Sequence, residues 1–224
     1  RQWAHEIPPM QQASRGAVAD IHHNLLPPIS GRAPDITKFT SHLHSTEAGL
    51  YTLSKPAMIL HSILHLFFNE EFSNGFRDLT DLHLMFSEEG ENSNFWPELM
   101  KLSKQTNFTT ELYYAVRYCQ RITETQFPGS FLTLINQVKL NPLKLAMADF
   151  IFSKVLLPHH PSCEDKHTNI AHMMAAVRGH LLKMPLHILI YHSLHKLFDT
   201  VMTSFKKNRT EDKNTIQNAI NKRG

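Results

Sequence analysis

The chain has 224 residues with 23 Lys and Arg, 20 Asp and Glu and 16 His, a formal net charge of +3, and 42% hydrophobic residues. This balance is ordinary for a globular protein and argues against a disordered chain. Eight glycines argue against a β-sandwich with many tight turns and favour long helices. No apolar run approaches the roughly 18–20 residues that a membrane helix needs, so we expect no membrane partner.

The positive charge is concentrated at the C-terminal end. Six basic residues and two acids give residues 206–224 a balance of +4, which leaves −1 for the rest of the chain. Such tails are usually solvated, so this one is weak evidence for nucleic acid, and we expect no nucleic-acid partner. Cys119 and Cys163 form no paired-cysteine motif, which predicts reduced thiols and a cytoplasmic location.

The first strand signal comes early in the chain. The sequence starts at Arg1 rather than at Met, and its first 16 residues show no pattern of a helix or strand. We therefore expect the chain to begin partway through a larger protein, with an N-terminal half or a partner protein missing. Next, GAVADIHHNLLPP (residues 16–28) alternates like a half-buried strand that stops at a double proline, with Asp20 and His22 on one face. Taken alone, an Asp near a strand end more often caps a turn.

Helical patterns dominate the rest of the chain. SKPAMILHSILHLFFNEEF offers Ser54 as a candidate N-cap, Pro56 in the first turn and apolar residues on nearly all sides, which predicts a largely buried helix. Later apolar stripes at helical spacing predict further helices, with an interruption at Pro142 and a kink or break near Pro185.

We therefore predict a mainly α protein, a bundle of about seven helices with a short N-terminal β remnant. The predicted organisation is a strand remnant at 1–30, a helical domain at 31–205 and a polar basic tail at 206–224. Residues 29–53 are polar and interrupted by Gly and Pro, which predicts a loop with a short helix.

Histidine pairs raise the question of a metal site. His61 and His65 lie four residues apart on one helix face, a spacing that can chelate zinc. However, the H-E-x-x-H motif and any His-Asp dipeptide are absent. A simpler interpretation is that carboxylates of the next helix, Asp78 and Asp81, satisfy the two imidazoles. We predict that His61, His65 and Asp81 are structural pins between helices, and a His-rich metal site remains the alternative.

Other patterns that would reveal chemistry are weak or missing. Arg178, His180, Lys183 and Lys196 make part of the last long helix cationic. Such a surface could face phosphate, but a solvated face is the simpler interpretation. The chain has no G-x-S-x-G, P-loop, G-x-G-x-x-G or paired-cysteine metal motif. Asp20 and His22 are therefore the best catalytic candidates.

Three stretches, taken in order, resemble the bacterial nucleotidyltransferase family proteins, a divergent group of the DNA polymerase β-like superfamily. They are VADIHHNLLPP (18–28), with an acid–hydrophobic–His signature, PAMILHSILHLFFNEEFSNGFRDLTDLHLMF (56–86) and VRGHLLKMPLHILIYHSLHKLF (177–198). The resemblance implies an α+β parent domain that transfers a nucleoside monophosphate from a nucleoside triphosphate (NTP) to a hydroxyl of an unknown acceptor. Residues 1–30 would be the strand remnant of its catalytic core.

The resemblance also implies a metal site. Members of the superfamily hold two Mg²⁺ ions with three carboxylates, two from a D-x-D strand and one from a neighbouring strand. Asp20 would be this third carboxylate, both catalytic and a metal ligand, and His22 would contact phosphate or orient Asp20. The family's Gly-Ser helix start and D-x-D strand precede this region in its members; here Gly129-Ser130 is followed by no D-x-D, and the chain contains no D-x-D. We therefore expect the chain to be inactive by itself, and a non-catalytic helical protein-binding module remains the alternative function.

Overall fold

The structure is a computed structural model that describes residues 6–41, 43–90 and 92–191. The chain divides into two compact units, Arg1–Lys183 and Met184–Gly224. In the second unit, residues 186–191 are helical. The predicted basic tail, 206–224, lies outside the described residues.

Helices make up most of the first unit, which confirms the predicted mainly α fold. The helices are α1 (Thr37–Thr40), α2 (Lys55–Phe67), α3 (Gly75–Glu88), α4 (Phe95–Gln105), α5 (Thr109–Ile122), α6 (Gly129–Ile135), α7 (Pro142–Val155) and α8 (Thr168–Lys183), and short 3₁₀ helices span Pro28–Ser30 and Pro161–Cys163.

Two helix boundaries show how proline shapes the chain. Pro142 is the first residue of α7, and the Asn141 side chain accepts hydrogen bonds from the N–H groups of Leu143 and Lys144. Proline suits this first position, because the N–H that it lacks would have no partner within the helix. Later in the chain, α8 ends at Lys183, two residues before Pro185, as predicted.

Helix α2 lies at the centre of the core. It begins directly after Ser54, with Pro56 in its first turn, and it packs against α3, α4 and α5. Its side chains Ile59, Leu60 and Ile63 are fully buried. Burying one such side chain stabilises the fold by about 1.5–3 kcal/mol, so the apolar pattern of this helix accounts for much of the bundle's cohesion.

Aromatic rings connect α2, α5 and α7. The Phe67 and Phe152 rings meet edge to face with centroids 5.0 Å apart, and the Tyr118 ring lies 5.3 Å from Phe152. Rings in such tilted and edge-to-face arrangements stabilise a core beyond their buried area. The cluster therefore fixes α7 on the central helices.

The N-terminal strands differ from the prediction in two ways. The first 16 residues do contain a strand, β1 (Glu6–Gln11), which pairs antiparallel with β2 (Val18–His22). Every residue of β2 is exposed, so the predicted half-buried strand is wrong. The pairing is irregular between Ile7 and Met10, where two consecutive prolines donate no ladder hydrogen bonds. The same prolines hide β1 from a sequence pattern.

A second hairpin joins β3 (Leu43–Ser45) to β4 (Tyr51–Leu53). The prediction of a loop with a short helix at 29–53 is right about α1 and misses this hairpin. Its strands have only three residues each, and its turn includes Gly49 with a φ of 73°, so periodicity is too brief to reveal them. In the described part of the chain, no helix combines the length and apolarity needed to cross a bilayer.

Candidate functional site

Strand β2 carries the predicted acid and imidazole on an exposed hairpin. Asp20 lies between Ala19, which pairs with Met10, and Ile21, which pairs with Ile7. This position faces the irregular double-proline section of β1, and the side chain is exposed to solvent. The structure thus leaves the Asp20 carboxylate accessible to a ligand.

His22 is paired with Glu6 across the same hairpin. Their register positions are opposite each other, and His22 Nε2 lies 3.4 Å from Glu6 Oε2. Opposite charges at such positions stabilise a strand pair when the imidazole is protonated. No sequence pattern predicted a role for Glu6, because the two prolines of its strand β1 mask the strand.

His61 and His65 lie at exposed positions of α2. The pKa of His61 is below its ordinary value, first because nearby protein displaces water from the imidazole and then because His65 and His22 add positive charge. His22 is therefore close enough for its charge to influence His61.

The predicted carboxylate partners of these histidines are elsewhere. Asp78 accepts a hydrogen bond from the adjacent Arg77, with Nη2 3.1 Å from Oδ1. Among the described residues, no hydrogen bond or ion pair joins Asp78 or Asp81 to His61 or His65. Solvent reaches both imidazoles, which removes the need for a buried carboxylate.

The metal prediction depends on Asp20 alone. Within residues 6–41, 43–90 and 92–191, no group of three His, Cys, Asp or Glu side chains is arranged to hold a metal ion. Mg²⁺ prefers oxygen ligands in an octahedral arrangement, and two such ions need several carboxylate oxygens. The described side chains therefore fit one ligand of such a centre and not the whole centre.

A large cavity lies between α5, α7, α8 and the segment that carries Arg32. Its volume is about 630 Å³, within the range of small-molecule sites. Arg32 Nη2 donates to Glu111 Oε1 at 3.0 Å, and the Glu111 side chain is only 2% exposed. Glu111 lies in the first turn of α5, where an acid is favoured by the helix dipole. The residues of this site are far apart along the chain, so no local sequence pattern predicts it.

Arg178 also lines this cavity. The prediction that the cationic face of the last helix is solvated is therefore wrong for this side chain. Its Nη1 donates to the Phe67 carbonyl oxygen at 2.6 Å, and its guanidinium lies over the Phe152 ring, 5.1 Å from the centroid. Burial lowers the pKa of Arg178, while the negative charge of Glu111 opposes this shift. Lys183 likewise points to a protein partner, the carboxylate of Glu70.

A family model described as an uncharacterised nucleotidyltransferase matches residues 2–124, just over half of the chain. The chain belongs to this nucleotidyltransferase family. The match includes Asp20, His22 and the first two stretches on which the resemblance was based, whereas the third, 177–198, lies beyond it. No curated protein and no solved structure gives a significant match. Within the family segment lie both hairpins and α1–α5, while α7 and α8 follow it.

Proposed function

We propose that this chain takes part in the transfer of a nucleoside monophosphate from an NTP to a hydroxyl of an acceptor molecule. The observation that carries this proposal is the nucleotidyltransferase family match over residues 2–124. We infer this activity and its Mg²⁺ and NTP requirements from the family and from the sequence resemblance. A cytoplasmic location and a bacterial origin are inferences of the same kind.

Asp20 is the residue that we assign to the metal. A carboxylate on a strand is a suitable oxygen ligand for a hard cation, and its exposure leaves it free to bind one. The remaining ligands would come from protein outside the described residues. His22, two residues along the strand, would orient the bound phosphate or Asp20.

The exposed hairpin supports this assignment. Four apolar side chains of β1 and β2 lie 43–61% exposed: Ile7, Met10, Val18 and Ile21. A two-stranded sheet is only marginally stable alone, so these strands fit the edge of a larger sheet. Additional strands there would bring further side chains close to Asp20.

The test uses both this chain and the longest open reading frame that contains it. We would measure Mn²⁺ binding in the presence of a non-hydrolysable ATP analogue by electron paramagnetic resonance, which requires no knowledge of the acceptor. We expect the longer protein to bind the Mn²⁺–nucleotide complex and the Asp20→Asn variant to bind it at least about tenfold more weakly. The isolated chain should release no pyrophosphate from an NTP with Mg²⁺.

The matched control is Glu47→Gln, which also removes an exposed acid near a hairpin. It should leave Mn²⁺–nucleotide binding unchanged. Equal binding by Asp20→Asn and the unaltered longer protein would refute the role of Asp20. Pyrophosphate release by the isolated chain would refute its predicted inactivity.

A further inference from the structure

The cavity between α5, α7 and α8 is lined by both charged and apolar side chains. An apolar wall is formed by aliphatic and methionine side chains of α7 and α8, including Met147, Ile151, Met173, Val177 and Leu181. Of these, Met173, Val177 and Leu181 are 62%, 53% and 47% exposed. Large apolar side chains left facing a concave space favour an apolar ligand, and methionines adapt to its shape.

Positive charge predominates among the charged side chains that line the cavity. The cavity is lined by Arg32, Arg178, Lys139 and Lys144, with Glu111 as the acid among its described lining residues. Glu111 neutralises only one of these charges. Arg32 and Arg178 are also close enough that the charge of Arg32 lowers the pKa of Arg178. An anionic group in the cavity would relieve this repulsion between the two guanidiniums.

Glu111 adds a more specific requirement. Its Oε1 accepts from Arg32, but in the described part of the chain its buried Oε2 has no hydrogen-bond partner. A buried carboxylate oxygen without a donor destabilises the protein, because the water that it loses on burial is not replaced by another hydrogen-bond partner. A ligand hydroxyl or amine next to the anionic group would satisfy it.

We propose that this cavity binds a small amphipathic anion, with a phosphate or carboxylate held by the two arginines, a neighbouring hydroxyl or amine donating to Glu111, and an acyl or alkyl chain along α7 and α8. The charged residues Arg32 and Glu111 lie in the family segment, and the apolar wall lies after it. The proposal does not depend on nucleotidyl transfer.

Isothermal titration calorimetry with monomeric lysophosphatidate, below its micelle concentration, tests the proposal. This probe has a phosphate, a neighbouring hydroxyl and one acyl chain. Dodecyl phosphate lacks the hydroxyl and should bind several-fold more weakly, because Glu111 Oε2 stays unpaired. Dodecyltrimethylammonium reverses the charge and should not bind, and glycerol 3-phosphate, without a chain, should bind at least about tenfold more weakly.

Two exposed positions separate a binding defect from a folding defect. Val177→Asp places a charge in the apolar wall, and we expect at least a tenfold loss of lysophosphatidate affinity (about 1.4 kcal/mol). Ile170→Asp, on the same helix and outside the cavity lining, is the matched control and should bind normally. Lys144→Glu should weaken binding, whereas Lys101→Glu on α4 should not.

Several outcomes would overturn the proposal. The first is that Val177→Asp and the wild type bind lysophosphatidate with equal affinity. The second is that the cationic and anionic amphiphiles bind equally well. The third is that lysophosphatidate does not bind at any monomeric concentration. A fourth is co-sedimentation with phosphatidate-containing vesicles without binding of the monomeric probe, which would identify a membrane surface as the partner. We expect the wild type to prefer lysophosphatidate over dodecyl phosphate several-fold. Loss of this preference in Glu111→Gln would support the proposed hydrogen bond, and an unchanged preference would contradict it.

Discussion

Arg117 on α5 and Asp149 on α7 form an ion pair through two hydrogen bonds, with Nε 2.8 Å from Oδ1 and Nη2 2.6 Å from Oδ2. The Tyr118 hydroxyl donates to the same carboxylate at 3.0 Å, and Arg121 Nη1 lies 3.1 Å from it. Such two-bond pairs are among the stronger polar contacts in proteins. Asp149 thus joins α7 to α5 beside the aromatic cluster.

Replacing this acid should destabilise the fold. Asp149→Asn removes the charge that three donors share, and we expect a loss of about 2 kcal/mol in the free energy of unfolding at neutral pH. Urea denaturation, followed by circular dichroism, measures this free energy of unfolding. The exposed Asp81→Asn on α3 is the control, with a change within about 0.5 kcal/mol. Equal stability of the two variants would contradict the role of the pair.

The same pair predicts a pH dependence. The hydrogen bonds from Arg117 hold the pKa of Asp149 below its ordinary value, which is about 4 in an unfolded chain. The stabilisation is therefore complete above about pH 4 and decreases as the pH falls toward the lower folded pKa. We expect the stability difference between wild type and Asp149→Asn to shrink over this acidic range, and a constant difference would argue against the linkage.

Gly179 allows α8 to approach the turn between α2 and α3. A Cβ atom at this position would lie 2.7 Å from Glu70 Cα and 2.8 Å from the Asn69 carbonyl oxygen. Gly179→Ala should therefore lower the free energy of unfolding by about 1–3 kcal/mol, despite the better helix propensity of alanine. Gly129→Ala, where a Cβ meets no atom within 4 Å, is the matched control and should be neutral or slightly stabilising. A neutral Gly179→Ala would show that the two segments can separate at little cost.

The two cysteines should differ in reactivity. Cys119 is buried in α5, and burial raises the pKa of its thiol to about 12, whereas Cys163 is partly exposed. Because the thiolate is the reactive form, a disulfide reagent at pH 8 should titrate Cys163 rapidly and Cys119 only after denaturation. The Cys163→Ser variant should then show almost no reaction in the native state. Rapid reaction of that variant would contradict the buried position of Cys119.

The pKa of His61 should be lower than that of an ordinary histidine. Displacement of water and the charges of His65 and His22 lower its pKa. Replacing His65 with Gln removes one of these charges and should raise the pKa of His61, as measured by the pH dependence of its imidazole signals in NMR. The control is His160→Gln. His160 lies directly before the 3₁₀ helix Pro161–Cys163 and does not contribute to the lowered pKa of His61. If His61 has the same pKa in wild type and His65→Gln, the two imidazoles do not interact.

The sequence was sufficient to predict the helical part of the fold. The apolar residues around α2 and the Ser54–Pro56 start signal identify a buried helix because both depend on neighbours within a few turns. Local signals failed for β1, whose consecutive prolines mask a strand, and for the three-residue strands of the second hairpin. They also failed for the exposure of β2, since alternation shows which residues share a face and not whether that face is covered.

The two candidate sites also differ in whether a local sequence pattern predicts them. Asp20 and His22 were found from one short motif on one strand. The cavity residues Arg32, Glu111 and Arg178 come from three distant segments, and only the packing of α5, α7 and α8 brings them together. Arg178 in particular has the sequence context of a surface residue, and its contact with the Phe67 carbonyl depends on tertiary structure.

The isolated two-stranded sheet has a consequence for affinity. Within the described residues, the hairpin that carries Asp20 has only exposed positions in its strands and pairs with no third strand, so its amide hydrogens should exchange with solvent much faster than those of α2. Any cation that engages this carboxylate must first restrict the backbone around it, and part of the binding free energy is lost to that ordering. A neighbouring strand that immobilised the hairpin in advance would strengthen metal binding without touching the metal.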